Sequence, residues 1–385
     1  MSRTMSFLIF FSVVFTVYFL ANWYLYRHIN AGLPGGFQWR RIISVSLILI
    51  MLAFPLSRIW LSMHPSPVAD GIFFAGALWM AMMLYLMMGF LLYDLLRLIS
   101  LPFPDFRAGL RSDQVRSFVS LGVFGISFLL LAGGFINASI PKVNHLVIET
   151  AKRAGVDRLK MLVITDIHMG SIIGKGKVGK MVEMVNAQQA DLVLLGGDMV
   201  DDDLRPVMRK DLGKFFARIE APLGVYAVSG NHEHIGGADA SLNYLAGYGV
   251  KVLRDTAVRL PEGVWIVGLE DKDMQRFAGK SRKPLAEVMK EVDLSQPVLL
   301  LDHQPVMLAE KAAAGVDLSF SGHTHDGQLW PLGHLAKAIY GISKGYLRVG
   351  EMQLYVSPGF GSWGPPVRIG HRPEILVVEW VFQKD

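Results

Sequence analysis

Cysteine is absent from the 385-residue chain, which excludes disulfides, thiolate metal ligands and a cysteine nucleophile. Charge is scarce too, at 18% of residues, against about 25% in ordinary soluble domains. The scarcity is uneven. Residues 1–140 contain no lysine and no glutamate. Their charges are nine arginines and four aspartates, an excess of five that equals the formal charge of the whole protein. Everything after residue 140 is therefore neutral overall, and a basic nucleic-acid footprint there is excluded.

Four apolar runs fill the lysine-free region, at about residues 5–26, 42–60, 72–93 and 118–136. Each is close to the roughly 20 residues needed to cross a hydrocarbon layer of about 30 Å. Trp23, Tyr24, Tyr26, Trp60 and Tyr93 lie near the ends of these runs, where amphipathic rings favour the membrane–water interface. The expectation is a four-helix transmembrane anchor over residues 1–140. The first run is too long for a cleaved signal peptide, and no small-residue cleavage site follows it. No polar relay crosses the runs, so they predict an anchor and not a transporter. Arg27, Arg40 and Arg41 fall between the first two runs, and Arg97, Arg107, Arg111 and Arg116 between the last two. The positive-inside rule puts both loops in the cytoplasm, which leaves both termini and the remainder of the chain outside.

A linker is expected at 141–158, and from 159 to 385 the pattern alternates between strand and helix. Short apolar runs at 161–165, 192–195, 225–228, 264–269, 298–301 and 318–320 read as strands covered on both faces. Stretches such as 179–189 and 284–292 read as helices between them. Five of the six strands run directly into metal-capable residues: Asp166 and His168; Asp198; Asn231, His232 and Glu233; Asp302 and His303; His323 and His325. Loops at strand ends converge side chains that are distant in sequence. Imidazole with carboxylate suits zinc, iron or manganese. Extended alternation would turn Asp166 and His168 to one side, and likewise His323 and His325.

From about Leu159 to the C-terminus these blocks resemble the calcineurin-like metallophosphoesterases. The resemblance implies a four-layer αββα sandwich and two divalent metal ions, with Mn, Fe or Zn as candidates. It also implies that Asp166, His168 and His325 hold one ion, that Asn231, His303 and His323 hold the other, and that Asp198 bridges them. His232 would be the catalytic histidine, oriented by Asp201. Two cations about 4 Å apart would supply a bridging hydroxide as nucleophile near neutral pH. Asp201 stands where purple acid phosphatases carry a tyrosine ligand, and Asp202 where phosphoprotein phosphatases carry a phosphate-binding arginine, so neither group fits. The sequences His323-Thr324-His325-Asp326-Gly327-Gln328, Ser357-Pro358-Gly359-Phe360-Gly361 and Arg372-Pro373-Glu374-Ile375 are similar to a membrane-associated bacterial branch of phosphodiesterases. The expected activity is hydrolysis of a phosphodiester or pyrophosphate in a membrane or cell-envelope substrate, some of them lipid-linked. The alternatives are a phosphomonoesterase and a non-catalytic membrane sensor of the same fold. The expected location is a bacterial cell membrane with the catalytic domain outside the cytoplasm. Membrane lipids are the expected contacts, with no nucleic acid and no protein partner. The apolar side chains of 328–346 are expected to pack as an inserted loop.

Overall fold

Leucine-rich and alanine-rich runs free of interior charge form long helices at the start of the chain, and β-branched alternating runs form sheets after it. The structure, a computed structural model, describes residues 3–33 and 38–384 and divides into two units, Met1–Gly134 and Phe135–Asp385.

The first unit is helical: α1 (Arg3–Gly32), α2 (Arg40–Met63), α3 (Pro67–Ile99), α4 (Pro104–Arg111) and the greater part of α5 (Asp113–Ser139). By length and composition α2, α3 and α5 can each cross a membrane. The first expected run falls within α1, a helix of 30 residues. With 33 residues, α3 is longer than the run at 72–93. At 1.5 Å per residue it exceeds a hydrocarbon core of about 30 Å. Ser66 caps its start by accepting a hydrogen bond from the Ala69 N–H, with Pro67 in the first turn. Gly76 lets α2 approach closely, because a Cβ there would lie 2.4 Å from the Phe54 nitrogen. Leu49, Leu121 and Leu129 remain more than half exposed, a surface suited to lipid. The helix α4 was not foreseen. Its eight residues carry Arg107 and Arg111 on one side, with exposed Phe106 beside them.

The second unit contains two six-stranded sheets. The first joins β1 (Lys142–Glu149), β2 (Arg158–Ile164), β3 (Leu192–Leu195), β4 (Gly224–Ala227), β5 (Val250–Val252) and a late strand. The second joins β6 (Thr256–Arg259), β7 (Trp265–Gly268), β8 (Val298–Leu301), β9 (Leu318–Ser321), β10 (Gly345–Val349) and β11 (Met352–Val356). The late strand is β12 (Glu374–Val381), which lies between β1 and β2. The orders are β1-β12-β2-β3-β4-β5 and β10-β11-β9-β8-β7-β6, and both sheets mix parallel and antiparallel pairs.

Period-two alternation builds three apolar layers from these strands. Met161, Val163, Leu192 and Leu194 face Leu299, Leu301 and Phe320 between the sheets, around the fully buried Trp380. The opposite faces of β2 and β3 cover Val178, Met181 and Val185 of α6 (Lys175–Asn186). Val298 and Leu300 cover Leu285, Val288 and Val292 on the far side. The result is the αββα sandwich.

One boundary needs correcting. Residues 142–149, expected within the linker, form β1 and pair in parallel with β12 from Lys142↔Glu374 to Glu149↔Val381. The partner strand is more than 200 residues away, so no local pattern announced the pairing. Hydrogen–deuterium exchange checks this: β1 amides bonded to β12 are expected to be protected. Exchange throughout 142–149 at the rate of a free peptide would restore the linker.

Candidate metal centre

The strands β2, β3, β4, β8 and β9 end at Ile164, Leu195, Ala227, Leu301 and Ser321, so all five candidate blocks leave carboxyl ends of strands. The blocks do not continue the strands. Asp166, His168, Asp198, His323 and His325 have φ of 54°, 51°, 53°, 70° and 46°. Extended alternation therefore does not explain how Asp166 and His168, or His323 and His325, come together; left-handed turns do. Such turns cost non-glycine residues about 1–3 kcal/mol each. Backbone bonds between loops hold them, with the Asp166 N–H on Gly197 O at 3.0 Å and the His168 N–H on Asp198 O at 2.9 Å. Gly197 is required twice over: its φ is +94°, and a Cβ would lie 2.5 Å from His303 Nδ1.

Potential ligand atoms of Asp166, His168 and His325 lie within 4.8 Å of one another, and so do those of Asp198, His303 and His323. Asp198 also groups with His168 and His232, so its carboxylate lies between the two sets. Its Oδ2 is 3.0 Å from His303 Nε2 and 3.8 Å from His168 Nε2, while its Oδ1 accepts the His232 N–H at 2.8 Å. Asn231 joins through its side-chain oxygen, 2.8 Å from His323 Nδ1. His303 Nδ1 donates to Gly196 O at 2.8 Å, which turns Nε2 inward toward the Asp198 carboxylate.

These residues fit divalent metal ions. His168 Nε2 and His325 Nε2 face each other at 3.0 Å in a buried site, an approach that a shared cation relieves. Burial, helped by His303, pushes His323 down to about 3, so it offers a neutral lone pair. Burial and the neighbouring His168 likewise lower His325 well below the usual range.

His232 is buried but not sealed. Its Nδ1 lies 2.7 Å from Asp202 Oδ1 and 3.2 Å from Asp201 Oδ1. Burial opposes its charge, yet Asp198 and the bonds to Asp201 and Asp202 outweigh burial and push the imidazole up to about 12. The imidazole is therefore held by two carboxylates, and Asp202 is the nearer.

Three further residues carry the site: Glu233, read in the sequence only as metal-capable, Tyr340, read only as part of the apolar segment, and Arg368, which had no reading there. Glu233, fully buried, accepts the backbone N–H groups of Asp198, Val200 and Gly230 at 3.0, 2.8 and 2.7 Å, tying two ligand loops together. Its place three residues after Gly230, the cap of the helix Asn231–Gly236, was the available signal. Arg368, also fully buried, bonds the carbonyls of Pro358 and Gly361 and reaches His325 Nδ1 at 3.3 Å. Tyr340 places its hydroxyl 2.8 Å from His323 Nε2. Asp302, by contrast, belongs elsewhere: it pairs with Lys311 at 2.8 Å and Arg282 at 3.0 Å.

The segment after the histidines also departs from expectation. Trp330, Leu335 and Ile339 are 53%, 59% and 65% exposed, so they do not fill a core. They belong to the helix Leu332–Tyr340 and the turn before it, whose other end holds Tyr340 against His323. Beside this helix a cavity of about 560 Å³ is lined by Asp326, Trp330, His334, Lys337, Lys344 and Tyr346, among others.

Residues 159–327 match the calcineurin-like phosphoesterase family. An uncharacterized metallophosphoesterase of Aquifex aeolicus is 31% identical over 66% of this chain and 97% of its own length. An uncharacterized metallophosphoesterase of Campylobacter jejuni is 28% identical over 97% of this chain and 98% of its own. A zebrafish (Danio rerio) transmembrane protein with metallophosphoesterase domain is 30% identical over 65% of this chain and 60% of its own. With the αββα sandwich and the grouped histidines and aspartates, these relationships establish that the chain belongs to the calcineurin-like phosphoesterases, as a metallophosphoesterase preceded by helices apolar enough to span a membrane.

Proposed function

We propose that the chain is a membrane-anchored phosphodiesterase or pyrophosphatase that works on a membrane or cell-envelope substrate with a pair of divalent metal ions. The observation that carries this reading is the continuity between the metal-binding residues and an exposed apolar helix, through the contact of His323 with Tyr340. An apolar surface beside a phosphoesterase site suits a phosphate ester attached to a hydrophobic group. Lys337 in the adjoining cavity offers positive charge to a second phosphate or an acidic headgroup, while Lys344 there is paired with Asp326.

In this reading Asp166, His168 and His325 would hold one ion, Asn231, His303 and His323 the other, with Asp198 as a ligand available to either. Bound there, divalent ions supply charge against the phosphoryl oxygens and lower the pKa of water. His232 gives its proton to the departing alkoxide, while Asp201 and Asp202 keep the imidazolium charged and oriented. Glu233 and Arg368 keep the ligand loops in place. The anchor has four spans in this account, α1 included. The arginine-rich loops face the cytoplasm and the catalytic unit faces the other side.

Three measurements follow. The full chain, stripped of metal in detergent and restored with Mn²⁺, Zn²⁺ or Fe²⁺, is expected to hydrolyse bis-nitrophenyl phosphate in preference to the monoester. Asp198→Asn should abolish that turnover, whereas a preference for the monoester would sink the diesterase reading. His232→Ala should lower kcat by about 10²–10⁴-fold for diesters with alkyl leaving groups and much less for nitrophenolate, which departs without a proton. An equal loss for both leaving groups would remove His232 as the acid. Finally, alkaline phosphatase fused after Asp385 should be active in bacterial cells; an inactive but intact fusion would reverse the orientation.

A further inference from the structure

The helical unit has a cavity of about 410 Å³ whose wall includes Arg27, Arg97, Arg116, His28, Tyr24 and Tyr93. Its position along the chain is consistent. Arg27 lies in the last turns of α1, which ends at Gly32; Arg97 lies in the last turn of α3, which ends at Ile99. Arg116 lies in the first turn of α5, which begins at Asp113. These three helix ends adjoin the two arginine-bearing loops, so the cavity belongs at the headgroup level of a bilayer.

The wall is built around one acid. Asp94 accepts the Tyr24 hydroxyl at 2.8 Å, faces His28 Nε2 at 3.1 Å and pairs with Arg97 at 3.1 Å. The His28 ring stacks on Phe90 with centroids 4.9 Å apart. Asp94 therefore fixes three lining side chains and neutralises one charge. Of the other two guanidinium groups, one has only a solvent-exposed carboxylate partner and one has none among the described residues. Arg116 pairs only with Asp113, whose side chain is 90% exposed, and Arg27 has no carboxylate partner among the described residues. The Nε atoms of Arg97 and Arg116 are shielded from solvent and make no hydrogen bond. Shielded donors without an acceptor are costly, and an anion in the cavity would remove the cost.

We propose that this cavity is a binding site for a phosphate group, offered by the headgroup of an acidic lipid. Guanidinium forks match phosphate oxygens in pairs, and every cation in this part of the chain is an arginine. Basic pockets between spans on the cytoplasmic side suit acidic headgroups. Trp23, a lining residue that is 52% exposed, gives apolar surface at the cavity for the acyl chains. The site is built from residues of the helical unit alone and does not depend on the reaction proposed for the metal centre.

The test uses the full chain, delipidated in detergent, with thermal unfolding and native mass spectrometry as readouts. Short-chain phosphatidylglycerol, phosphatidylcholine and inorganic phosphate are added separately. Phosphatidylglycerol should raise the unfolding temperature saturably and remain bound in the mass spectrum, while phosphatidylcholine should do neither. Arg27→Gln, which disturbs no ion pair, and Arg116→Gln should each weaken binding by ~10-fold or more. Inorganic phosphate that stabilises the protein equally, with the same loss in both variants, supports the phosphate site and assigns it to a soluble anion. Equal binding of the two lipids, or unchanged binding in both variants, overturns the proposal.

Discussion

Asp166 and Asp198 lie buried beside His168, His303 and His325 where two sheets end, and the rest of the catalytic unit serves that crowded group. An ionised carboxylate out of water costs several kcal/mol unless opposite charge shares the space. The backbone accepts left-handed turns at Asp166, His168, Asp198, His323 and His325 to bring the side chains inward. Glu233 clamps three backbone N–H groups from the loops that carry Asp198 and Asn231. Arg368, itself fully buried, braces the carbonyls behind His325. Without a cation, His168 Nε2 and His325 Nε2 face each other at 3.0 Å in a buried site, so metal binding and the integrity of the loops are one problem.

Much of this was legible because metal ligation restricts residue types strongly and places them at strand ends. The blocks at Asp166, Asp198, Asn231, His303 and His323 stand out against short apolar strands, and those six strands fall close to where the apolar runs put them. Other features had no local signature. The pairing of β1 with β12 joins distant segments, so 142–149 read as a linker. The convergence of Asp166 with His168 looked like strand alternation, because a left-handed turn in a non-glycine residue leaves no mark in composition. Asp202 was noted only as the residue that replaces an arginine, yet it approaches His232 more closely than Asp201 does. The exposed face of Leu332–Tyr340 was invisible for a different reason: an apolar helical stripe reads the same whether it meets a core or a bilayer.

The helical unit obeys a different economy. Its cations are all arginines, clustered toward the loops, and its apolar faces are left uncovered over long stretches. Interior polar side chains pair within the unit, as where Trp79 Nε1 donates to Asn22 Oδ1 at 2.8 Å, whereas the Nε atoms of Arg97 and Arg116 at the arginine-lined end make no hydrogen bond. Such a unit tolerates polarity only where a partner or a headgroup meets it. The arginine-lined cavity and the exposed helix near the metal centre follow the same rule in the two units: each offers a surface that water alone leaves unsatisfied.

The central proposal is that Asp198 would be shared by a pair of divalent metal ions. Electron paramagnetic resonance of the full chain loaded with Mn²⁺ tests it directly, because two ions about 4 Å apart through a shared carboxylate are spin-coupled. The account predicts a coupled signal that Asp198→Asn converts to that of isolated ions. A spectrum of isolated Mn²⁺ in the unsubstituted protein at saturating metal would contradict it.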